Sequence, residues 1–428
     1  MSLFFAIASV FAAHAGAETL SLDDALQLAD QNAFAILIQR AAVEKQRQAV
    51  NQVSGTLGPT VSAGGVYTRN GTQSEVNFNG QNVIISPLQT GVATATVSLP
   101  IDITGNTHRL IRASKANLLA QRETLEADRS DTRHTVKGAY LAVLRAESQV
   151  KVAEEAIGNE TERVRTTQAQ FEHGTAAKLD VLTAQTQLSQ SKSDLITAQN
   201  AVTLTKEALN NALARNIKTP VEVVDPNLPD APTDEDALDG MAQTQRPEAR
   251  ALLRTREALA QIRRATEQGQ QPTLSAAVTY QRNIAAQGLG AQPAQTIGTL
   301  TLNFPLFDSG QTRARVKEAR QDEETARLQY EQLKLGISLD VRQSYANLSN
   351  AKAKLDVANE QVTTAREALR LARLKLDQGE GIYLEVLTAQ SSLTQAEQSQ
   401  VSARYDYMQA VADLQHAVGS ETFGGSSK

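Results

Sequence analysis

The side chains able to do chemistry in this chain are few and scattered. With no cysteine there is no thiolate nucleophile, no thiolate metal site, no disulfide framework and no lipid-anchored cysteine. The five histidines, His14, His108, His134, His173 and His416, show no metal-ligand spacing. No Gly-rich phosphate loop, nucleophile elbow or His-Glu-x-x-His run is present, and the scattered Ser, Asp and Glu residues sit at coiled-coil surface positions. The expectation is a protein with no cofactor and no enzymatic reaction. One acidic pattern does recur: Leu179, Asp180, Val181, Leu182, Thr183, Ala184, Gln185 returns as Leu384, Glu385, Val386, Leu387, Thr388, Ala389, Gln390. Asp180 and Glu385 therefore hold equivalent places.

The elements that carry these carboxylates are themselves duplicated. The shift from Leu179 to Leu384 also maps Pro100 onto Pro305, Gly105 onto Gly310, Tyr140 onto Tyr345 and Gly174 onto Gly379. Further upstream, Thr60, Val61, Ser62, Ala63 with Tyr67, Arg69 and Asn70 match Thr273, Leu274, Ser275, Ala276 with Tyr280, Arg282 and Asn283, at a slightly larger shift. The length difference must fall between Gly71 and Gly91 in one copy and Ile284 and Thr296 in the other, which marks a surface loop. Asn216 to Gly240, with four prolines among acidic residues, reads as a linker or a small irregular subdomain between the copies.

No proline occurs in 101–219 or from 306 onward, so both stretches can be helical throughout. Val136, Val143, Val150, Ile157, Val164 and Phe171 are spaced by sevens, with Ala139, Ala146 and Ala153 three residues on. Val341, Leu348, Leu355, Val362, Leu369 and Leu376 repeat the large row, and Ala351, Ala358, Ala365 and Ala372 the small one. The seams resume beyond each glycine, which predicts a helical hairpin turning near Gly174 and another near Gly379. From Gly105 to Phe171 is roughly 65 residues, a rod on the order of 100 Å. Such a rod spans something.

Before each long helix lies a segment of alternating character. In Ile297 to Phe304 the apolar Leu300, Leu302 and Phe304 alternate with Thr299, Thr301 and Asn303; Thr60 to Thr68 and Thr273 to Tyr280 alternate more weakly, with Tyr67 and Tyr280 at matching ends. Short strands with one apolar face and an aromatic near headgroup level are the pattern of an outer-membrane barrel, with Tyr67 and Tyr280 as membrane-interface aromatics. Four strands per chain fall short of the roughly eight at which such barrels begin, so the chain must oligomerise. Two chains would supply eight strands and a filled interior; three would supply twelve and room for a channel.

The start of the sequence, MSLFFAIASVFAAHAGA, ends in the small-residue triplet Ala15, Gly16, Ala17 before Glu18 and reads as a secretory signal peptide over residues 1–17. After residue 17 no run of about 18 apolar residues is long enough for a transmembrane helix. Aromatics make up only 4% of the chain and Trp is absent, as suits long helices packed through small residues rather than a globular core. The net charge of -5 gives no electrostatic reason to expect nucleic acid. The run Arg250, Arg254, Arg256, Arg263, Arg264 is interleaved by Glu248, Glu257 and Glu267 and reads as a solvated helix face.

The chain resembles the TolC family of outer-membrane efflux and secretion channels over essentially its whole mature length. The resemblance rests on Asp24, Ala25, Leu26 in the opening helix, Arg246, Pro247, Glu248 opening the second copy, and Phe304 to Gly310 at the strand-to-helix turn. Its most specific part is the paired tips His173, Gly174 and Gln378, Gly379, with Asp180 and Glu385 six residues on. With Ala17 and Glu18 at the cleavage point, the match is to the non-lipidated branch. The resemblance implies a mainly α fold with a small transmembrane β-barrel: a homotrimer with a 12-stranded barrel in outer-membrane lipid and a 12-helix α-barrel in the periplasm. It also implies an outer-membrane channel of a tripartite efflux or type I secretion system, served by a periplasmic adaptor and an inner-membrane transporter of RND, ABC or MFS type.

By the same resemblance Glu385 and Thr388 occupy the two positions that line the narrowest part of the tunnel, and Asp180 matches the tip acid of the first copy. One carboxylate ring instead of two makes that constriction less negative. The adaptor-docking tips map to Gly174, Thr175, Gly379 and Glu380. Leu376 and Gly381 stand where the family has an aromatic and a basic residue, so the polar lock of the closed tip is not expected in its usual form. The division expected is 18–215 for the first repeat, 216–240 for a linker or equatorial segment, 241–419 for the second repeat and 420–428 for a flexible tail. The rival reading is a periplasmic coiled-coil adaptor or scaffold without a barrel; it leaves the paired strand segments and Tyr67 and Tyr280 unexplained.

Overall fold

The computed structural model describes residues 18–78, 80–229, 231–232, 234–284 and 292–420; the leader at 1–17 and the tail from 421 lie outside the described residues. In chain order the elements are β1 (Glu18–Leu20), α1 (Leu22–Asn32), α2 (Phe34–Gly55), β2 (Thr60–Arg69), β3 (Ser74–Phe78), β4 (Gln81–Ser86), β5 (Gln89–Ile101), α3 (Asn106–Glu172) and α4 (Lys178–Ala212). They continue as β6 (Val221–Val223), α5 (Glu235–Gln245), α6 (Pro247–Thr266), β7 (Thr273–Asn283), β8 (Ala294–Asn303), α7 (Gln311–Asp377) and α8 (Tyr383–Val418). Apart from β1, β6 and the β3–β4 hairpin, the second half repeats the first. In the stretch between the copies β6 pairs in parallel with β1, and α5 runs across position 240.

The chain divides into two compact units, each drawing on both copies. One comprises Ala41–Thr124 and Glu248–Leu333 and contains a four-stranded sheet in the order β2-β5-β7-β8, every pairing antiparallel. Helices in this unit pack through alanines, Ala113 and Ala116 against Ala258 and Ile262. Arg250 meets Glu123 at 2.8 Å and Arg263 meets Glu323 at 2.7 Å. The longer of the two strand connections folds as the β3–β4 hairpin, a separate two-stranded sheet, rather than as an irregular loop.

The other unit comprises residues up to Arg40, Leu125–Pro247 and from Lys334 onward. Its seams are those of the heptads: Val136, Val143 and Val341 are fully buried, and Leu348 is 2% exposed. Each such side chain contributes roughly 1.5–3 kcal/mol by leaving water. Tyr140 is also fully buried, and its hydroxyl lies 2.9 Å from the Leu20 carbonyl and 2.7 Å from the Val224 carbonyl while accepting the Val224 N–H. One phenol thus fixes the ends of β1 and β6 onto α3 and satisfies backbone groups that would otherwise be buried unpaired. Arg133 holds Asp30 of α1 at 2.5 Å.

Candidate functional site

Three places concern function: the two hairpin turns, the helix starts that follow them, and the two faces of the sheet.

The turns are built alike. Gly174 and Gly379 adopt φ of +76° and +78°, a left-handed conformation that glycine reaches without a Cβ clash. Around them the Thr175 N–H donates to the Gln170 carbonyl at 2.9 Å and the Glu380 N–H to the Lys375 carbonyl at 3.0 Å, the six-to-one closure that satisfies the last carbonyls of α3 and α7. Gly381 is confined as well: a Cβ there would stand 3.0 Å from the Lys375 Cβ and 3.1 Å from the Leu376 nitrogen. A side chain there would press on the last turn of α7. Leu376 is half-buried in its seam. Gly174, Thr175, Gly379 and Glu380 are all exposed.

Asp180, Glu385 and Thr388 lie in the first turns after these hairpins, all exposed, but they are not engaged alike. An Asp180 carboxylate oxygen accepts the Ala177 N–H at 3.0 Å and so caps α4, a bond that the sequence pattern did not reveal. The Thr388 hydroxyl donates back to the Leu384 carbonyl at 2.9 Å. The Glu385 carboxylate has no hydrogen bond or ion pair among the described residues, and none joins Asp180 to Glu385 or Thr388 within one chain. Of the three, Glu385 keeps its whole charge available.

Farther back along α3 the seam turns polar. The row of Ala146 and Ala153 continues into Glu160 and Thr167, which are 6% and 1% exposed. Arg163 lies 2.8 Å from Glu160, and burial pushes the Glu160 carboxyl above its ordinary range despite that guanidinium. The Thr167 hydroxyl reaches the Tyr383 hydroxyl at 3.3 Å. Heptad reading alone missed these residues, although their seven-residue spacing from Ala153 is visible in the sequence.

The sheet separates its side chains by chemistry. Directly opposite residues share a face. The register of Ala95 with Ala63 and Tyr280, and of Tyr280 with Thr296, therefore gathers Val61, Tyr67, Val97, Leu99, Leu274, Val278, Tyr280, Leu300 and Leu302 on one face. The other face is rich in hydroxyls and amides, Thr60, Ser62, Thr94, Thr96, Ser98, Ser275, Thr279, Gln281, Thr299, Thr301 and Asn303, with Val66, Val92, Ala277 and Ile297 among them. Hydroxyls meet across it, Thr60 with Ser98 at 2.6 Å and Thr96 with Thr279 at 3.1 Å. Both faces are uncovered: Val61 is 76% exposed on the apolar side and Val66 is 66% exposed on the other. Tyr67 stands opposite Gly91 and Tyr280 opposite Ala95, on the same face but staggered four positions along β5. No helix among the described residues is long and apolar enough to cross a membrane, and β2 and β8 are free edges in the single chain.

A chain that holds an uncovered sheet, apolar on one side and rich in hydroxyls on the other, and two long helical hairpins matches a known family. The profile described as outer membrane efflux protein fits residues 25–215 and 240–420, once per copy. The chain belongs to this family. It is 26% identical to the outer membrane efflux protein BepC of Brucella suis over 331 residues, 74% of this chain and 69% of that one. It is 24% identical to the alkaline protease secretion protein AprF of Pseudomonas aeruginosa over 321 residues, 72% of this chain and 65% of the relative. The chain thus spans about two thirds of the length of these curated relatives. Among solved structures, CusC superposes with a TM-score of 0.79 at 18% identity, covering 93% of this chain and 92% of that one, which shows a TolC-like fold. This efflux-family protein is one of the cell outer membrane, with its helical part in the periplasm. Its relatives are channel and secretion proteins.

Proposed function

We propose that three copies of this chain close a 12-stranded barrel and a 12-helix tunnel, forming the passive outer-membrane conduit of a tripartite efflux or type I secretion system. The observation that carries this reading is the four-stranded sheet with one apolar face, one hydroxylated face and two open edges. In lipid an unpaired edge leaves backbone N–H and C=O groups without partners, so the sheet must be completed by other chains. The order β2-β5-β7-β8 alternates in direction, so β8 of one copy beside β2 of the next continues the antiparallel pattern. Three copies supply twelve strands and leave an aqueous bore.

In this reading no bond is made or broken by the protein. An inner-membrane transporter supplies the energy, a periplasmic adaptor engages the tips at Gly174, Thr175, Gly379 and Glu380, and cargo leaves through a neutral, hydroxyl-lined barrel. Glu385 from three chains forms the charged ring of the constriction, with Thr388 one turn on. Asp180 stands in the same region, its carboxylate shared with the α4 cap. Tyr67 and Tyr280 face lipid near the headgroups.

Reconstitution into planar bilayers tests the channel. Stepwise ionic currents from a purified trimer are the expected result. Recovery of the protein as a soluble periplasmic monomer without conductance would sink it. Docking is tested by cysteines introduced at Thr175 and Glu380; the absence of any adaptor adduct at both sites would remove the tip assignment.

A further inference from the structure

The four strands of the sheet contain only two charged side chains, Arg69 and Arg282, and both lie on the apolar face. Arg69 is opposite Gln89, and Arg282 is opposite Ala93 and Ala294, at the end of the sheet where each hairpin turns back. Each follows an interface tyrosine by two residues, in the pairs Tyr67 with Arg69 and Tyr280 with Arg282, so aromatic and guanidinium share a face one alternation apart. Both guanidiniums are exposed and make no hydrogen bond or ion pair with described residues.

Nearby acid is scarce. In the connection from Asn70 to Leu88 the only carboxylate is Glu75, which accepts from Gln73 at 2.6 Å. The connection from Ile284 to Pro293 contains no charged residue at all. The turn end of the sheet is therefore net positive, on a chain whose total charge is -5.

We propose that Arg69 and Arg282 are a binding site for the phosphate groups of anionic headgroups in the outer leaflet of the membrane. This rests on the barrel reading above. The helices enter and leave the sheet at its opposite end and the helical part is periplasmic, so the hairpin turns face outward. A guanidinium on a lipid-facing surface is tolerated at the interface and disfavoured at mid-membrane, and beyond a tyrosine belt it meets headgroups. There its planar fork matches a phosphate with two parallel hydrogen bonds. The duplication relates the two positions, and hairpins repeated around a barrel axis set equivalent residues at one height. The four-residue stagger along β5 is the offset that strand tilt introduces. A trimer presents six such guanidiniums in a ring, while the apolar band below them grips the acyl chains of the same lipids.

Insertion and thermal unfolding of the full chain in vesicles provide the test. Vesicles of phosphatidylcholine alone are compared with vesicles doped with a bis-phosphorylated glycolipid, and inorganic phosphate is added to the plain vesicles as a separate arm. The expected result is a transition about 2–4 °C higher in the doped vesicles, narrowing with salt, and no such rise with inorganic phosphate. The shift is lost in the Arg69→Gln/Arg282→Gln double variant and retained for the most part in Arg69→Lys/Arg282→Lys. An equal shift in the Gln variant, or the same shift from inorganic phosphate, overturns the proposal. Normal insertion with no headgroup preference overturns it while leaving the barrel standing. Failure of the wild-type chain to insert in any vesicle overturns both.

Discussion

The hydroxyl of Thr167, almost fully buried in α3, lies 3.3 Å from the hydroxyl of Tyr383 at the first residue of α8, linking the first helical hairpin to the turn of the second. The repeat has Ala372 where the first copy has Thr167, so the link is not duplicated. It stands two residues beyond Gly381, where a Cβ would press on Lys375 and Leu376. A long neutral hydrogen bond of this kind contributes about 1 kcal/mol. Tyr383→Phe is expected to speed amide exchange in the turn around Gly379 to Ile382 by about fivefold, with the rest of the chain unchanged. Thr167→Val, which keeps the volume, gives the same change. Unaltered exchange in both variants would show that the contact holds nothing.

Glu160 and Arg163 are a largely buried ion pair, Glu160 in the row that also holds Ala146, Ala153 and Thr167, and the second copy has Ala365 and Ala368 at the two positions. Breaking one partner leaves the other charge uncompensated, so Glu160→Ala alone is expected to destabilise the hairpin by about 3 kcal/mol. The double variant Glu160→Ala/Arg163→Ala, which copies the repeat, is expected to restore most of that loss. Urea unfolding of the four proteins of the cycle measures the coupling. The pH dependence has a fixed sign. Burial raises the Glu160 carboxyl in the folded state, so the folded chain holds its proton longer than the unfolded one. Stability therefore falls as pH rises through the window above the ordinary carboxylate value, and the double variant lacks that fall.

Asp308 caps the start of α7. Its carboxylate accepts the Thr312 N–H at 2.8 Å, the Gly310 N–H at 3.0 Å and the Gln270 amide at 3.1 Å, fixing the start of α7. Hydrogen bonds with Thr312, Gly310 and Gln270 lower its pKa to about 2. The sign is opposite to that of Glu160: the cap is fully present above the ordinary value of 3.8 and is lost as pH falls toward about 2. Exchange at Gln311 to Ala314 is expected to quicken on acidification in the wild type and to be fast at all pH values in Asp308→Ala. A protected α7 start in the variant would refute the cap.

How far the sequence reaches is visible in these residues. Heptads and a duplicated motif were enough to locate both hairpins, because a seven-residue apolar period is a strong helical signal and a glycine ends it. Tyr67 and Tyr280 were legible as a matched pair, but their stagger across β5 was not, since register is set by pairing between distant segments. The pairing of β6 with β1 was hidden in a proline-rich stretch because three-residue strands carry almost no periodicity. Asp180 shows a further limit: its spacing marked it as equivalent to Glu385, yet only the structure shows one carboxylate committed to a helix cap and the other without a partner among the described residues.

That difference yields a prediction for the constriction. In the proposed trimer three Glu385 carboxylates would stand around one axis and attract cations, so Glu385→Gln is expected to lower the cation-over-anion permeability ratio several-fold and to weaken block by divalent ions in single-channel recordings. Asp180→Asn is expected to change selectivity less and helix stability more, because the cap at Ala177 N–H loses its ionised acceptor. Equal selectivity in wild type and Glu385→Gln would remove Glu385 from the pore lining.

The two faces of the sheet make the sharpest contrast, since Val278 and Thr279 are neighbours in β7 and point to opposite sides. Val278 faces Val97 and Gly298 on the apolar side; Thr279 faces Thr96 and Ile297 on the hydroxylated side. A lysine in the lipid-facing middle of a barrel strand costs about 2–4 kcal/mol, whereas one facing the water-filled bore costs little. Val278→Lys is therefore expected to reduce the yield of inserted protein roughly a hundredfold at equilibrium, with Thr279→Lys inserting normally. The Thr279→Lys channel should also pass cations less well than the wild type, because the bore carries no other charge on its strands. Folding into vesicles, followed by resistance to heated detergent on a gel, reads the first effect, and bilayer recording reads the second. If both variants insert equally, the apolar face is not the lipid face, and with it falls the argument that the open edges must be closed by neighbouring chains.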